Sequence, residues 1–219
     1  MMMTSMENLL LDVLPQHNGW KRYVETLSVV KNRLPFTLCD TVACRACGDR
    51  NMHCGNQEVA RFSMTGDNEV ISVGIEEYLM EYAKHYKKAQ GCKCDYLHYD
   101  NGGTRVVLNE LTCSQEKFVN PYQNQMGRQD GKRIHAMKQM DNVVGLLMEV
   151  PNIAALVNGF TDKHCLFSWR IPERNVNVAE QAMNAFMAPQ RNVANITIMN
   201  PMNSGFLFVQ QIYPCEYRF

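Results

Sequence analysis

The chain carries no net charge: 22 lysines and arginines balance 22 aspartates and glutamates over 219 residues. That balance excludes a global basic field, so contact with nucleic acid needs a local patch. No apolar run approaches the roughly 18–20 residues of a membrane span, and no membrane partner is expected. Residues 1–14 lack the basic opening of a secretory leader and include Glu7 and Asp12. These absences together predict a cytoplasmic protein. There is no internal repeat, no low-complexity tract, no Walker A loop, no GxGxxG and no Ser-His-Asp signature, which leaves no ground for a P-loop NTPase, a dinucleotide enzyme or a serine hydrolase.

Hydrophobic content is 46%, enough for one sizeable core. There are nine cysteines, an odd number without a leader, which argues against a disulfide framework. Four of them, Cys39, Cys44, Cys47 and Cys54, fall within sixteen residues of a turn-prone insertion at 39–56. Cys44-x2-Cys47 has the spacing of a zinc ligand pair, and Cys39 with Cys54 could close a tetrahedral site. The second pair is irregular, so a loop of reduced cysteines is the competing reading.

Apolar spacing predicts helices over 5–14 and 19–32, the second from Trp20, Tyr23, Val24, Leu27 and Val30. Residues 57–63 and 69–73 read as a strand pair. Ile75, Tyr78, Leu79, Tyr82, Ala83 and Tyr86 mark one helix face. Residues 113–130 read as a loop, 131–150 as a long helix ended by Pro151, 152–158 as a short one. A buried strand is expected at 164–169, a helix around 178–186, and closing strands at 195–200 and 205–213. This order implies an α/β (α+β) chain, a single domain over 1–219 in which a mixed central sheet is flanked by helices.

The most informative segment is a β-hairpin. Asp95-Tyr-Leu-His-Tyr99 and Val106-Val-Leu-Asn-Glu-Leu-Thr112 flank the turn signal Asn101-Gly102-Gly103. If Asp100 pairs with Arg105, Tyr99 faces Val106, Leu97 faces Leu108 and Asp95 faces Glu110. Period-2 alternation then puts these six and Thr112 on one face, and His98 on the other. Opposed carboxylates destabilise a sheet, and a divalent cation between them is a natural remedy.

A helix, Asp95, a gap of fourteen residues, Glu110-Leu111-Thr112 at a strand end, then a long helix and a buried strand resemble the PD-(D/E)XK nuclease superfamily, over about residues 57–170. The resemblance implies a restriction-endonuclease-like fold and hydrolysis of phosphodiester bonds in DNA with Mg²⁺ or Mn²⁺, in restriction, repair or defence against mobile elements. On that pattern Asp95 and Glu110 would bind the metal, with the Leu111 carbonyl as a further oxygen. Glu76, on the preceding helix, is a weaker addition. The departure is Thr112 where the family has lysine. Lys117 is the first substitute, with Lys93 and Lys132 behind it.

For nucleic acid the candidate residues are Lys87, Lys88, Lys93, Lys132 and Arg133, with Lys84 and Lys138 beside them. A solvated helix face is the plain alternative for these. Zero net charge leaves room for a protein partner or a homo-oligomer. The competing reading of the whole is a catalytically inactive nuclease-like interaction module, with a zinc-binding cysteine loop and the 114–130 loop as its binding surfaces.

Overall fold

Consecutive residues of one strand go to two different cores. Val106 and Leu108 join a cluster with Leu97, Tyr78, Tyr82, Met140 and Val144, whereas Val107 and Leu111 join Phe36, Phe62, Leu166 and Tyr217. Such a strand is buried on both faces, which accounts for the unbroken Val-Val-Leu run. The computed structural model describes residues 5–33, 35–39, 58–64, 68–114, 116–170 and 196–219. The cysteine-rich insertion (apart from Cys39) and the helix expected around 178–186 lie outside these residues.

The strands are β1 (Ser28–Asn32), β2 (Phe36–Cys39), β3 (Glu58–Ser63), β4 (Val70–Gly74), β5 (Tyr96–Asp100), β6 (Arg105–Cys113), β7 (Tyr122–Asn124), β8 (Gly127–Gln129), β9 (Asp162–Arg170), β10 (Ile196–Pro201), β11 (Leu207–Ile212) and β12 (Glu216–Arg218). The helices are α1 (Met6–Asn8), continued through a π-helical turn into α2 (Leu14–His17), then α3 (Glu76–His85), α4 (Glu116–Val119), α5 (Lys132–Met148) and α6 (Pro151–Asn158). The main sheet runs β1-β4-β5-β6-β9-β11-β10. Its first four strands are antiparallel, β6, β9 and β11 are parallel, and β10 returns antiparallel. The fold is thus mixed α/β, with a central mixed sheet flanked by helices.

The helices gather on one face, where α5 crosses β6 and β9. The other face is covered by a second sheet, β12-β3-β2, laid over β6, β9 and β11. Between the two sheets a polar chain is buried. Ser168 Oγ donates to Gln211 Oε1 at 2.9 Å and lies 3.0 Å from the Asn109 amide, and Gln211 Nε2 donates to the carbonyls of Arg61 and Cys215.

Three expectations are corrected. Residues 20–27 are not helical and run into β1; Trp20 stacks on Tyr82 of α3 and on Tyr86 just after it, and Tyr23 on His85, so the helically spaced apolar residues are satisfied by an extended segment lying along α3. The strands predicted at 57–63 and 69–73 exist, but β3 belongs to the small sheet and β4 to the main one. Residues 113–130, expected as loop, contain α4 and a small hairpin of β7 and β8.

Candidate functional site

The hairpin of β5 and β6 has the register that alternation predicts: Tyr99 faces Val106 and Leu97 faces Leu108. Carried one step past the end of β5, that register sets Asp95 beside Glu110. Two backbone bonds fix Asp95 there. Its N–H donates to the Asn109 carbonyl at 3.1 Å, and its own carbonyl accepts the Ile75 N–H at 3.0 Å, which ties the start of α3 to the hairpin. The Asp95 carboxylate is oriented by the Leu111 N–H, which donates to Oδ2 at 2.6 Å.

This is an expensive place for two carboxylates. Glu110 is only 6% exposed. Burial, and then the charge of Glu110, push the Asp95 carboxyl well above the usual aspartate range. Lys93 offsets part of the cost: its Nζ lies 3.1 Å from Glu110 Oε1 and 3.9 Å from Glu76 Oε1. Burial by itself would lower the Lys93 amine, but the charge and hydrogen bond of Glu110, together with the charges of Asp95 and Glu76, outweigh it and hold the ammonium above the usual lysine range.

Thr112, two residues on from Glu110 and on the same face, accepts a hydrogen bond from Lys132 Nζ at 3.2 Å. Lys132 opens α5. The N-cap of that helix, Gly131, sits so close to the preceding chain that a Cβ there would lie 2.2 Å from the Val119 carbonyl oxygen. Only glycine permits this approach, and the approach delivers Lys132 to the end of β6. Glu76, Lys93, Asp95, Glu110, Thr112 and Lys132 together line a cleft of about 260 Å³, with Phe167 also contributing to its wall.

Beside Ala136, helix α5 adds His135 and Gln139 to the cleft. Sequence reasoning did not single them out, although the signal was present: with Lys132 they recur at three- and four-residue steps along one helix, on the flank of its buried stripe.

Leu111 also lines the cleft, while its side chain packs in the core on the small-sheet side and its N–H is committed to Asp95. Lys117 lies in α4, but its side chain is outside the described residues. The five candidate nucleic-acid residues sit on different elements. Lys93 and Lys132 are in the cleft. Lys87 and Lys88 are exposed on a 3-10 turn after α3, and Lys88 is ion-paired with Glu149 and bonded to Asn18. Arg133 turns towards Gln210 of β11 at 3.5 Å. Of the candidate zinc cysteines, Cys39 is buried in β2, while Cys44, Cys47 and Cys54 lie outside the described residues. Among the described residues, no group of three or more His, Cys, Asp or Glu is arranged to hold a metal ion.

Cys94 packs beneath the site with its thiol on the carbonyls of Tyr96 and Asn109, and burial raises it well above the usual thiol range, so it is an inert filler. His98, expected on the opposite face, is enclosed there by the rings of Phe36, Phe62, Tyr96 and Phe219. Comparison with protein-family models, with curated proteins and with solved structures gives no match to this chain.

Proposed function

We propose that the chain is a metal-dependent nuclease that hydrolyses phosphodiester bonds in DNA, built on a restriction-endonuclease-like fold. The observation that carries this reading is the pairing of Asp95 with Glu110 at one end of the hairpin, with two lysine amines in the same cleft. The donor set suits Mg²⁺ or Mn²⁺. Both carboxylates are hard oxygen donors, and Mg²⁺ is commonly held by one or two carboxylates with water and substrate phosphate completing its shell. Two protein ligands beside an open cleft therefore fit such an ion without a preformed three-residue cage. Asp95 and Glu110 would hold the metal, which when bound would polarise the phosphoryl group and acidify the attacking water.

The other steps fall to the chain itself. The Leu111 N–H fixes the Asp95 carboxylate before substrate arrives. Lys93 offsets the charge of Glu110. Lys132 brings an amine to Thr112, where the family motif would carry its lysine, and is the group best placed to orient the water or to neutralise the developing charge on phosphate. It replaces Lys117 as the first choice for this role.

One observation favours the inactive interaction module instead: the Lys93 ammonium already occupies Glu110, and position 112 carries only a hydroxyl. Nicking of supercoiled plasmid in Mn²⁺ separates the two readings. The nuclease reading expects nicking by the native chain and its loss in Glu110→Gln. Equal nicking by both would remove the proposed site, and DNA binding without nicking by the native chain would favour the module.

A further inference from the structure

The stretch of chain that joins two cleft-lining residues, Thr112 and Lys132, carries an element whose exposure needs a reason. The connection from β6 to α5 leaves one wall of the cleft at Thr112 and re-enters another at Lys132. Between them it raises the β7–β8 hairpin, a sheet of its own that joins neither of the larger ones. Asn124 pairs with Gly127, so the tip is the two-residue turn Gln125-Met126. Gly127 supplies the positive φ of +102° that closes it, and Asn124 Oδ1 accepts the Met126 N–H at 2.8 Å. The edge of Phe118 against Tyr122, ring centres 5.2 Å apart, braces the base.

This braced turn holds Met126 out at 85% exposure, the highest of any large apolar side chain among the described residues. Gln123, Asn124 and Gln125 are exposed around it, and Arg128 lies exposed on the returning strand. No carboxylate occurs from Pro121 to Gln129. The nearest, Asp130, is taken by Lys138 at 2.6 Å. An unbranched apolar side chain on a stiff tip, ringed by amides and a guanidinium and free of negative charge, matches the interior of a base stack with its polar base edges and flanking phosphates.

We infer that the β7–β8 hairpin is a wedge that inserts Met126 between neighbouring base pairs of duplex DNA and presents the kinked strand to the cleft. The inference rests on the nuclease reading, because it takes its substrate from it. It adds a binding element outside the cleft and names the form of the substrate. Amide groups of Gln123 and Gln125 would contact base edges, and Arg128 a phosphate.

The test uses the full chain carrying Glu110→Gln, so that binding is read without cleavage, and a duplex with 2-aminopurine in place of one adenine. Unstacking of that base raises its fluorescence. The expected result is a several-fold rise on binding that disappears in Met126→Ala, together with binding weakened about tenfold. Met126 is exposed, so its truncation leaves the fold intact; an unchanged thermal midpoint checks this. Nicking by the native chain with no fluorescence rise at any 2-aminopurine position overturns the wedge and leaves the nuclease reading standing. No binding and no nicking overturns both. A rise that survives in Met126→Ala, or a Met126-dependent dimer in light scattering without DNA, assigns the tip elsewhere and also overturns the wedge.

Discussion

Lys132 Nζ, at the first residue of α5, donates to Thr112 Oγ1 at the end of β6 at 3.2 Å. On the proposed nuclease reading, the amine that the PD-(D/E)XK pattern has on that strand would come here from a helix. A strand lysine and a helix lysine can reach one point in space because Gly131 lets α5 begin against the residues that follow β6. If this amine serves the reaction, Lys132→Ala should lower the single-turnover cleavage rate by about 10²-fold or more, with a much smaller change in DNA affinity. Lys132→Arg should fail to restore the rate, since a planar guanidinium neither fits the same point nor gives up a proton. Loss of affinity equal to loss of rate would make Lys132 a phosphate contact only.

Lys93 has a different task. It is a half-exposed ammonium on a carboxylate that is almost wholly buried, 3.1 Å away. Exposed pairs contribute under about 1 kcal/mol, while breaking a buried pair costs about 3–5 kcal/mol. Lys93→Met should fall between, destabilising by about 1–3 kcal/mol, and for a chain of this size each kcal/mol moves the thermal midpoint by about 2–4 °C. Adding Asp95→Asn should recover part of the loss by removing one of the opposed charges. Millimolar Mn²⁺ should raise the midpoint of Lys93→Met more than that of the native chain, because the cation then meets carboxylates with no ammonium between them. Equal shifts in a thermal-denaturation series would refute this.

The β5–β6 hairpin and its pairing were legible because local chemistry decides them: Asn101-Gly102-Gly103 makes the turn, and a one-residue slip would reverse every side chain. Helix α5 was legible for a similar reason, with a long apolar stripe and Pro151 to stop it. Residues 20–27 misled because helical spacing and an aromatic clamp onto α3 ask for the same residues; tertiary stacking of Trp20 on Tyr86 decided between them. The separation of β3 from β4 was not readable, since both have strand-like patterns and β3 takes its partners from β2 and from β12, far along the chain. In the site, the paired carboxylates could be read from one hairpin. The arrival of Lys132 could not, because it depends on how α5 crosses the sheet.

Gly131 tests that crossing directly. A methyl group there would meet the Val119 oxygen at 2.2 Å and the Asn120 carbonyl carbon at 2.3 Å, both backbone atoms that cannot swing aside. Gly131→Ala must therefore shift the start of α5. The expected cost is about 2–4 kcal/mol of stability, read from urea denaturation. Activity should fall further than stability explains, since a displacement of about 1 Å at a positioned group can cost about 10²-fold in rate. A variant with native stability would show that the helix start is less tightly held than these contacts indicate.

Burial of His98, away from the cleft, should make the stability of the fold depend on acid. His98 is fully buried, its Nδ1 is 2.8 Å from Ser72 Oγ, and aromatic rings surround it. Burial lowers its pKa from an ordinary value of 6.5 to about 3. A histidine lowered in the folded state favours folding while it is neutral in both states, that is above about pH 6.5. Below that the unfolded chain takes up a proton that the folded chain refuses, so stability falls as the pH drops from about 6.5 towards 3. The slope from this one group approaches about 1.4 kcal/mol per pH unit. His98→Phe keeps a flat ring in an aromatic pocket and removes the proton site, while Ser72 keeps its bond from Asn32. Unfolding free energies measured by urea from pH 7 to pH 4 should decline less steeply in the variant by about that slope. Parallel curves for the two proteins would mean that His98 already carries its proton when folded, or that the acid sensitivity lies with other groups.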